Sequence, residues 1–216
     1  MIEEDTMPEA WLSSLKLFND GSRLSRFESD RGPCIERQDV LITVRQAASD
    51  PLVAGAYPSS FAPLVDGVSA AFKGIGTSAN STLAQRLYAW PRRTGRSTET
   101  PKTLDQVALM RDMLHKRPDS RFVLAAFWDP DVDPFLPNPV SPLHASFRVR
   151  SGVLNGTLSA RSVDAWMGAF PMFVGFIQLL RELAKMCGHS PGTATFFVLS
   201  YHLYEIDFPV AMDLIR

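Results

Sequence analysis

The sequence has little cysteine and almost no net charge. Its two cysteines, Cys34 and Cys187, lie far apart in a chain of 216 residues and lack the spacing of metal ligands. We therefore predict neither a disulfide framework nor a zinc site, and the reducing cytoplasm suits two isolated thiols. The 22 basic and 23 acidic residues nearly cancel, which gives no electrostatic case for a nucleic-acid or membrane partner.

Long apolar runs and targeting signals are also missing. No run of about 18 apolar residues occurs, and the N-terminal stretch MIEEDTMPEAW is acidic, without the basic and apolar regions of a signal peptide. We therefore expect a protein that is neither exported nor membrane-spanning. The chain is long for a minimal domain and short for two, so we predict one domain over residues 1–216, with residues 1–18 as an N-terminal extension.

The second half of the chain carries the clearer patterns. Residues 103–116 predict an amphipathic helix capped by Thr103. Residues 121–128 (RFVLAAFW) predict a buried strand, and HASFRVRSGVLNGTLSAR predicts two strands around a Ser-Gly turn that end at Arg161. Residues 171–187 are apolar nearly all round in their first half, which predicts a core helix, and TATFFVLSYHLYEID predicts a final strand. This order of elements predicts an α+β fold.

The first half is harder to interpret. Residues 19–37 predict a polar, arginine-bearing loop ahead of a short strand, VLITV, at residues 40–44. Residues 61–73 have a moderately helical pattern that ends at glycines. Residues 92–103 indicate a charged loop, in which we interpret three arginines as an exposed cluster: Arg92, Arg93 and Arg96.

One arginine lies in apolar company near the end of the predicted hairpin. Arg161 has Ser162 beside it and Asp164 three residues on, and burying it is costly unless an anion or a carboxylate meets it. The residues alone leave two interpretations, an internal ion pair with Asp164 or a ligand phosphate. Nearby Trp166 and Phe170 fit core packing better than base stacking. Two further acids indicate a solvated loop rather than a metal site: Asp131 and Asp133.

Four motifs occur in one order and at close to the spacing of a known superfamily: DSRFVLAAFWDP, SPLHASF, ARSVD followed by glycine and proline, and SYHLYEID. On these motifs the chain resembles the thymidylate synthase and pyrimidine-nucleotide hydroxymethylase superfamily over residues 103–210, with a weaker likeness upstream in ESDRGPCIER and LAQRLYAW. The resemblance implies a twisted, mostly antiparallel sheet packed on a long central helix. It also implies a homodimer whose sheets pack back to back, although a heterodimer with an active relative is left open.

The resemblance also implies a phosphate site. Arg161 and Ser162 match the family's phosphate-binding Arg-Ser pair, and a guanidinium beside a hydroxyl suits phosphate oxygens. Arg121 matches an arginine lent across the dimer to the partner's phosphate, but Phe122 stands where the family usually has a second arginine. Arg31 matches the arginine of the N-terminal phosphate loop, in a more loosely aligned region.

Sugar and catalytic positions follow from the same motifs. His202 and Tyr204 match the pair that hydrogen-bonds the sugar hydroxyl, and His144 matches the histidine beside the nucleophile. If the chain is an active enzyme, the acid–base candidates are His144, Asp164 and Tyr204, with Asp66 as a further one.

The departures from the family concern its chemistry. Leu143 occupies the position of the cysteine whose thiolate adds to C6 of the pyrimidine, and a leucine cannot attack. Counting back from Gly74 puts Gly67 at the position of the general-base glutamate, and neither cysteine is an evident substitute nucleophile. The base-reading asparagine corresponds to one of two apolar residues: Met172 or Phe173.

Three functions remain open from the sequence. The first is a nucleotide-binding, pseudoenzyme-like protein that keeps a phosphate and sugar pocket but has lost cysteine-dependent one-carbon transfer. The second is an active transferase of specialised nucleotide metabolism with a cysteine-independent mechanism, and the third is a purely structural interaction subunit. The cofactor is left open, because the resemblance implies a tetrahydrofolate derivative but the chain ends at DLIR, soon after the last predicted strand.

Overall fold

The computed structural model describes residues 1–19, 24–29, 31–53, 55, 57–76, 81–91 and 103–216. The interpretation of Arg92, Arg93 and Arg96 as an exposed cluster lies outside these residues. The strands are β1 (Ile2–Glu4), β2 (Ser25–Ser29), β3 (Gly32–Val44), β4 (Trp90–Pro91), β5 (Thr103–Leu104), β6 (Leu124–Ala126), β7 (Pro142–Arg150), β8 (Val153–Asp164) and β9 (Ser190–Tyr204). The helices are α1 (Met7–Leu15), α2 (Ala62–Phe72), α3 (Ser81–Tyr88), α4 (Gln106–Lys116), α5 (Ala169–Met186) and α6 (Phe208–Leu214).

The main sheet has the strand order β1-β3-β9-β8-β7-β6. Strand β2 pairs with the first part of β3, residues 32–36. Neighbouring strands of the sheet are antiparallel except for β1 with β3 and β8 with β9, which run parallel. Helix α5 connects β8 to β9, as a parallel pair requires a crossover. The structure confirms the predicted α+β fold and its mostly antiparallel sheet.

The predicted hairpin is present as β7 and β8. Its two turn residues, Ser151 and Gly152, have φ angles of 51° and 77°. The type I′ turn, whose twist matches that of hairpin strands, requires positive φ at both central residues. Glycine adopts this conformation without strain, so only the serine is strained. The two strands are paired from Arg150 opposite Val153, next to the turn, to Pro142 opposite Ala160 at the other end.

Helix α5 forms the centre of the core, as predicted. Phe173 on this helix stacks on Phe196 of β9 with ring centroids 4.0 Å apart, so the face of the sheet that carries Phe196 is the core face. Helix α2 packs against α5 at Gly175, where an added Cβ would lie 2.5 Å from the ring of Phe72. The glycine therefore allows α2 to pack closely against α5.

The sequence predictions were wrong at several boundaries. The polar loop predicted over residues 19–37 contains β2 and the first part of β3, which begins at Gly32 rather than at residue 40. Helix α4 begins at Gln106, because the carboxylate of Asp105, rather than Thr103, accepts the free helical N–H of Ala108 at 2.8 Å. The predicted buried strand at 121–128 shrinks to β6, an edge strand preceded by Phe122, which is 74% exposed. An apolar run does not distinguish a central strand from an edge one.

The N-terminal residues belong to the domain. Strand β1 pairs with β3, and α1 buries Trp11, whose indole N–H donates to the carbonyl of Ala165 at 3.0 Å. The ring of Trp11 lies 5.7 Å from that of Trp166, so the core-packing interpretation of Trp166 is confirmed.

The prediction of a solvated acidic loop was wrong for Asp133. This residue has 0% exposure, and its carboxylate accepts from Arg86 at 3.1 Å while Asp129 accepts from the same guanidinium at 3.0 Å. Gln106 donates to the carbonyls of Arg86 and Ala126, both at 2.7 Å. These four side chains therefore join α3, α4 and the loop after β6. We call them the Arg86 cluster: Arg86, Gln106, Asp129 and Asp133.

Within the residues described above, no helix is both long and apolar enough to cross a membrane.

Candidate functional site

A cavity of about 740 Å³ opens at the end of the sheet where β8 and β9 finish. Strands β2, β3, β8 and β9 supply its polar wall, which we call the strand wall. Helices α2, α3 and α5 supply the opposite wall, which we call the helical wall, and residues 136–141 close one side as a proline-rich loop. This volume lies in the usual range of small-molecule sites, about 300 to 1,000 Å³.

The parallel pairing of β8 and β9 brings distant parts of the sequence together on the strand wall. Asp164 lies opposite His202, and Ser162 lies opposite Ser200. The carboxyl ends of parallel strands meet at one edge of a sheet, so residues about forty positions apart become neighbours. The hydroxyl of Ser162 lies 3.3 Å from Nδ1 of His202.

Arg161 fixes the proline-rich loop. Its Nε donates to the carbonyl of Val140 at 3.0 Å and its Nη2 to that of Pro139 at 2.7 Å. Burial lowers the pKa of its guanidinium. Nη1 has no hydrogen-bond partner within the described part of the chain, and the cavity lies beside it. The hydroxyl of Ser141 strengthens the same junction by donating to the carbonyl of Ser162.

The carboxylate of Asp164 pairs with Arg31 instead of Arg161. Nη1 of Arg31 lies 4.0 Å from Oδ2 of Asp164, and its guanidinium carbon lies 4.5 Å from the centre of the Tyr204 ring. Oδ1 of Asp164 accepts from the backbone N–H groups of Trp166 and Met167 at 2.9 and 3.2 Å. Oδ2 is buried and has no hydrogen-bond partner among the described residues. The predicted alternative of an Arg161–Asp164 ion pair is therefore not the arrangement seen.

His202 is held in its neutral form. Burial lowers the pKa of its imidazole, and the nearby carboxylate of Asp164 offsets only part of that effect. Its ring meets the ring of Tyr204 edge-on, with centroids 5.3 Å apart. A neutral imidazole has one donor and one acceptor nitrogen, which suits contact with a hydroxyl group.

Cys34 lines the cavity, where sequence reasoning did not place it. It lies on β3 opposite Tyr204, and its Sγ is 3.6 Å from the hydroxyl of Ser29. Burial raises the pKa of the thiol, so it is protonated and weakly nucleophilic at neutral pH. Residues 34–40 (CIERQDV) do not alternate between apolar and polar types, so no sequence pattern marked this part of the strand. Cys187 lies at the end of α5, outside the cavity lining.

The helical wall is apolar. Val68 of α2, Leu83 of α3 and Met172 of α5 face the cavity, together with the hydroxyl-bearing Thr82. Met172 lines the cavity whereas Phe173 is 0% exposed in the core. Of the two residues matched to the family's base-reading asparagine, Met172 therefore lines the cavity and Phe173 does not.

Several residues that the resemblance selected lie outside the cavity lining. His144 pairs with Ala126 and Ser159 and so shares the sheet face opposite α5, which we call the outer face. An irregularity between Pro142 and His144 turns Pro142 to the cavity instead. Three further selected positions do not line it either: Gly67, Arg121 and Leu143.

The residues that do converge on the cavity are Arg31, Arg161, Ser162, Asp164, His202 and Tyr204. Their charged and hydrogen-bonding groups lie on the strand wall and face the apolar helical wall. In the portion of the chain that the structure describes, no group of three or more His, Cys, Asp or Glu residues could hold a metal ion.

Comparison with known proteins identifies the family of this chain. Residues 79–215 match the family Thymidylate synthase, and the chain therefore belongs to the thymidylate synthase family. A protein of Methanosarcina barkeri named "Putative thymidylate synthase" is 29% identical over 62% of this chain and 58% of its own length. Proteins with the same name from Methanothermobacter marburgensis and Methanosarcina acetivorans are 31% and 28% identical, over 52% and 62% of this chain and 51% and 58% of their own lengths. The chain thus spans little more than half the length of these relatives.

Proposed function

We propose that this chain binds a nucleoside monophosphate, or a related phosphate ester of a ribose, and does not carry out cysteine-dependent one-carbon transfer to pyrimidine C5. The observation that carries this proposal is the meeting of two arginines, a serine, a histidine and a tyrosine in one cavity. The sequence resemblance selects these same five residues for phosphate and sugar: Arg31, Arg161, Ser162, His202 and Tyr204.

The phosphate would lie between Arg161 and Arg31. Nη1 of Arg161 makes no hydrogen bond within the described residues, and both Arg161 and Ser162 line the cavity. The side chain of Arg31 is 59% exposed, and its contact with the carboxylate of Asp164 is 4.0 Å long. An arginine whose other nitrogens are already held by backbone carbonyls loses little side-chain entropy when it binds an anion. Arg31 would leave Asp164 for the stronger charge of the phosphate.

The sugar would lie beyond the phosphate, against His202 and Tyr204. Nδ1 of His202 already lies beside the hydroxyl of Ser162, so its Nε2 is the nitrogen offered to a ribose hydroxyl, and the phenol of Tyr204 offers both a donor and an acceptor. Asp164 provides a further acceptor, because its buried Oδ2 lacks a hydrogen bond among the described residues.

The loss of the family's chemistry is supported by residue types and by protonation. Leucine occupies position 143 and glycine position 67, so neither a nucleophile nor a carboxylate base is present there. Cys34 does reach the cavity, but burial raises the pKa of its thiol. The tetrahydrofolate derivative implied by the family therefore has no covalent pyrimidine intermediate to react with in this proposal.

A homodimer formed through the outer face completes the proposal. This face carries mainly small hydroxyl-bearing and apolar side chains in register across the strands: Leu41, Thr43, Ser146, Thr157, Ser159, Thr195 and Phe197. In such a dimer Arg121, an exposed residue beside the edge strand β6, would act on the phosphate of a second copy. Two unpaired cysteines, Cys34 and Cys187, fit a cytoplasmic setting.

The runner-up function is an active transferase with a cysteine-independent mechanism. It is favoured by one observation, the orphaned carboxylate oxygen of Asp164, which lies 4.0 Å from the Arg31 guanidinium that stacks over the Tyr204 ring. Asp164 and Tyr204 would then act as acid–base groups, with His144 in reach only if the β7 irregularity rearranges. Turnover of a nucleotide that Asp164→Asn abolishes would favour this function.

The test of the proposed function is a thermal-shift panel of CMP, UMP, dCMP, dUMP, AMP and GMP, with and without tetrahydrofolate, on the wild type and two variants. We expect at least one nucleotide to raise the melting temperature, since a ligand that binds only the folded state stabilises it. Arg31→Ala should abolish the shift while leaving the ligand-free melting temperature nearly unchanged, because the side chain is largely exposed. Arg161→Ala should abolish the shift and also cost about 1 to 3 kcal/mol of stability, because two loop carbonyls lose their donor.

Arg26→Ala is the matched control. Arg26 lies on the same strand as the cavity-lining Ser29, pairs with Glu205 and does not line the cavity, so its loss should leave the shift intact. A panel without any shift would sink the nucleotide proposal and favour the interaction-subunit hypothesis, which tight association with another protein chain would support. A shift that survives in both arginine variants would place the ligand elsewhere.

A further inference from the structure

The two walls of the cavity differ in chemistry, and this difference bears on what the ligand carries besides phosphate and sugar. The strand wall supplies the charged and hydrogen-bonding groups. The helical wall supplies the side chains of Val68, Leu83 and Met172, none of which can donate or accept a strong hydrogen bond. Each comes from a different helix, so the apolar character belongs to the whole wall.

The helical wall is also firmly placed. Met172 is only 7% exposed in the first turn of α5, and Val68 and Leu83 pack against the hydrophobic core. Helices α2 and α5 are in close contact at Gly175, where a Cβ would meet both Phe72 and Val68. The packing of these helices therefore prevents the wall from rearranging to present a polar group to a ring in the cavity.

Among the described side chains of this wall, Thr82 is the polar one. A hydroxyl both donates and accepts, so it does not distinguish a ring carbonyl from a ring amine. Asn138 lies on the proline-rich loop and is exposed. The carboxylate of Asp164, on the opposite wall, already accepts two backbone N–H groups and faces Arg31.

We propose that the helical wall holds the ring of the ligand by apolar contact alone, so that the site takes a ribose 5-phosphate bearing a flat ring and does not read the hydrogen-bonding edge of that ring. The inference rests on the proposed phosphate and sugar site and deepens it by naming the ligand class, aryl or heteroaryl ribose 5-phosphates. A pyrimidine placed against this wall loses the water bound to its polar edge without regaining those hydrogen bonds. A phenyl ring has no such loss.

Isothermal titration of the wild type with four probes tests this inference: ribose 5-phosphate, the 5-phosphate of the phenyl C-riboside, UMP and CMP. We expect the phenyl compound to bind about tenfold or more tightly than ribose 5-phosphate, because the ring buries apolar area on the helical wall. UMP and CMP should bind within about threefold of each other and no more tightly than the phenyl compound.

The remaining outcomes separate this inference from the proposed function. If UMP or CMP binds at least tenfold more tightly than the phenyl compound, the ring edge is read and the inference is overturned while the proposed function stands. If the phenyl compound binds no better than ribose 5-phosphate, the wall does not contact the ring, and the inference is again overturned. If none of the four probes binds, the proposed function fails and the inference fails with it.

A variant pair checks the wall itself. Met172→Asn should lower the ratio of phenyl-compound affinity to ribose 5-phosphate affinity about tenfold, because an amide replaces the apolar surface. Met186→Asn makes the same exchange at the exposed end of the same helix, where Met186 is 41% exposed, and should leave the ratio unchanged. A ratio that does not respond to Met172→Asn in a variant with a normal melting temperature contradicts the role of this wall.

Discussion

At the strand wall, single residues serve both the fold and the site. Arg161 joins the proline-rich loop to β8 through two backbone carbonyls and keeps one nitrogen toward the cavity. Asp164 caps the turn before α5 with one oxygen and faces Arg31 with the other. A substitution at either position therefore changes stability and ligand affinity together, and binding data at these residues require a stability measurement beside them.

The titration of His202 is a prediction at this residue scale. Burial lowers the pKa of its imidazole below the ordinary value of 6.5, so below about pH 6.5 the unfolded chain takes up a proton that the folded chain does not. The free energy of unfolding should therefore fall as the pH is lowered from 7 through this window, by at most about 1.4 kcal/mol per pH unit for one proton. Urea unfolding at pH 7.0, 6.5, 6.0 and 5.5 measures it.

His202→Gln should remove this component of the pH dependence, whereas His189→Gln, at a histidine outside the cavity lining, should retain it. An unchanged pH profile in His202→Gln, or stability that rises as the pH falls in the wild type, would contradict the expected protonation state.

Among the elements, the loop between β6 and β7 depends on a charge cluster that is almost without solvent. The side chains of Arg86, Asp129 and Asp133 are 5%, 5% and 0% exposed. The same loop continues into the proline-rich segment that Arg161 holds and that borders the cavity. The loop is thus fixed at both ends, by the Arg86 cluster at its start and by Arg161 at its finish.

Removing Arg86 should be costly for this reason. Arg86→Leu removes the cation that two buried carboxylates share, and we expect a loss of about 3 to 5 kcal/mol in the free energy of unfolding. Arg111→Leu is the matched control, because Arg111 pairs with Asp112 at the surface, with both side chains exposed by more than 40%, and such an exposed pair contributes little to stability. Guanidinium unfolding compares the two, and similar losses in both variants would contradict the structural role assigned to the cluster.

The element-scale predictions from sequence succeeded where periodicity was long and local. Helix α5 and the β7–β8 hairpin are examples, because an all-round apolar helix and a Ser-Gly turn each determine their own structure. Strand β2 was missed, since its residues are mostly exposed and carry no alternation. Asp133 was misjudged because its partner Arg86 is distant in sequence, and only tertiary contact brings the two together.

The candidate site was partly predictable for the same physical reason. Arg161, Ser162, His202 and Tyr204 lie in motifs near strand ends, so their positions followed once the strands were in register. Cys34 and the apolar helical wall did not follow, because they depend on the β3–β9 pairing and on how α2, α3 and α5 pack. The placement of His144 depends on one strand irregularity that no sequence pattern signals.

For the whole molecule, the proposed assembly is a homodimer through the outer face. Phe197 lies in the middle of that face, between Leu41 of β3 and Ser159 of β8. We expect the molecular mass of the wild type, measured by analytical ultracentrifugation, to be twice the 24.0 kDa of one chain. Phe197→Glu should sediment as a monomer, because a charge buried without a partner in an interface is strongly unfavourable.

Ile206→Glu is the control for added charge. Ile206 is 85% exposed after the end of β9, away from the paired rows of the outer face, so this variant should remain a dimer. A monomeric wild type at micromolar concentration, or a dimer that persists in Phe197→Glu, would count against the outer face as the interface.

The parallel pairing of β8 with β9 also sets when the site can come into existence. Arg161, Ser162 and Asp164 are synthesised about forty residues before His202 and Tyr204, with the whole of α5 between them. During synthesis β8 therefore lacks its partner β9 until the crossover helix has folded and β9 has left the ribosome. Non-local pairing of this kind is slow, so the ligand proposed above would bind only chains in which β9 has already paired with β8.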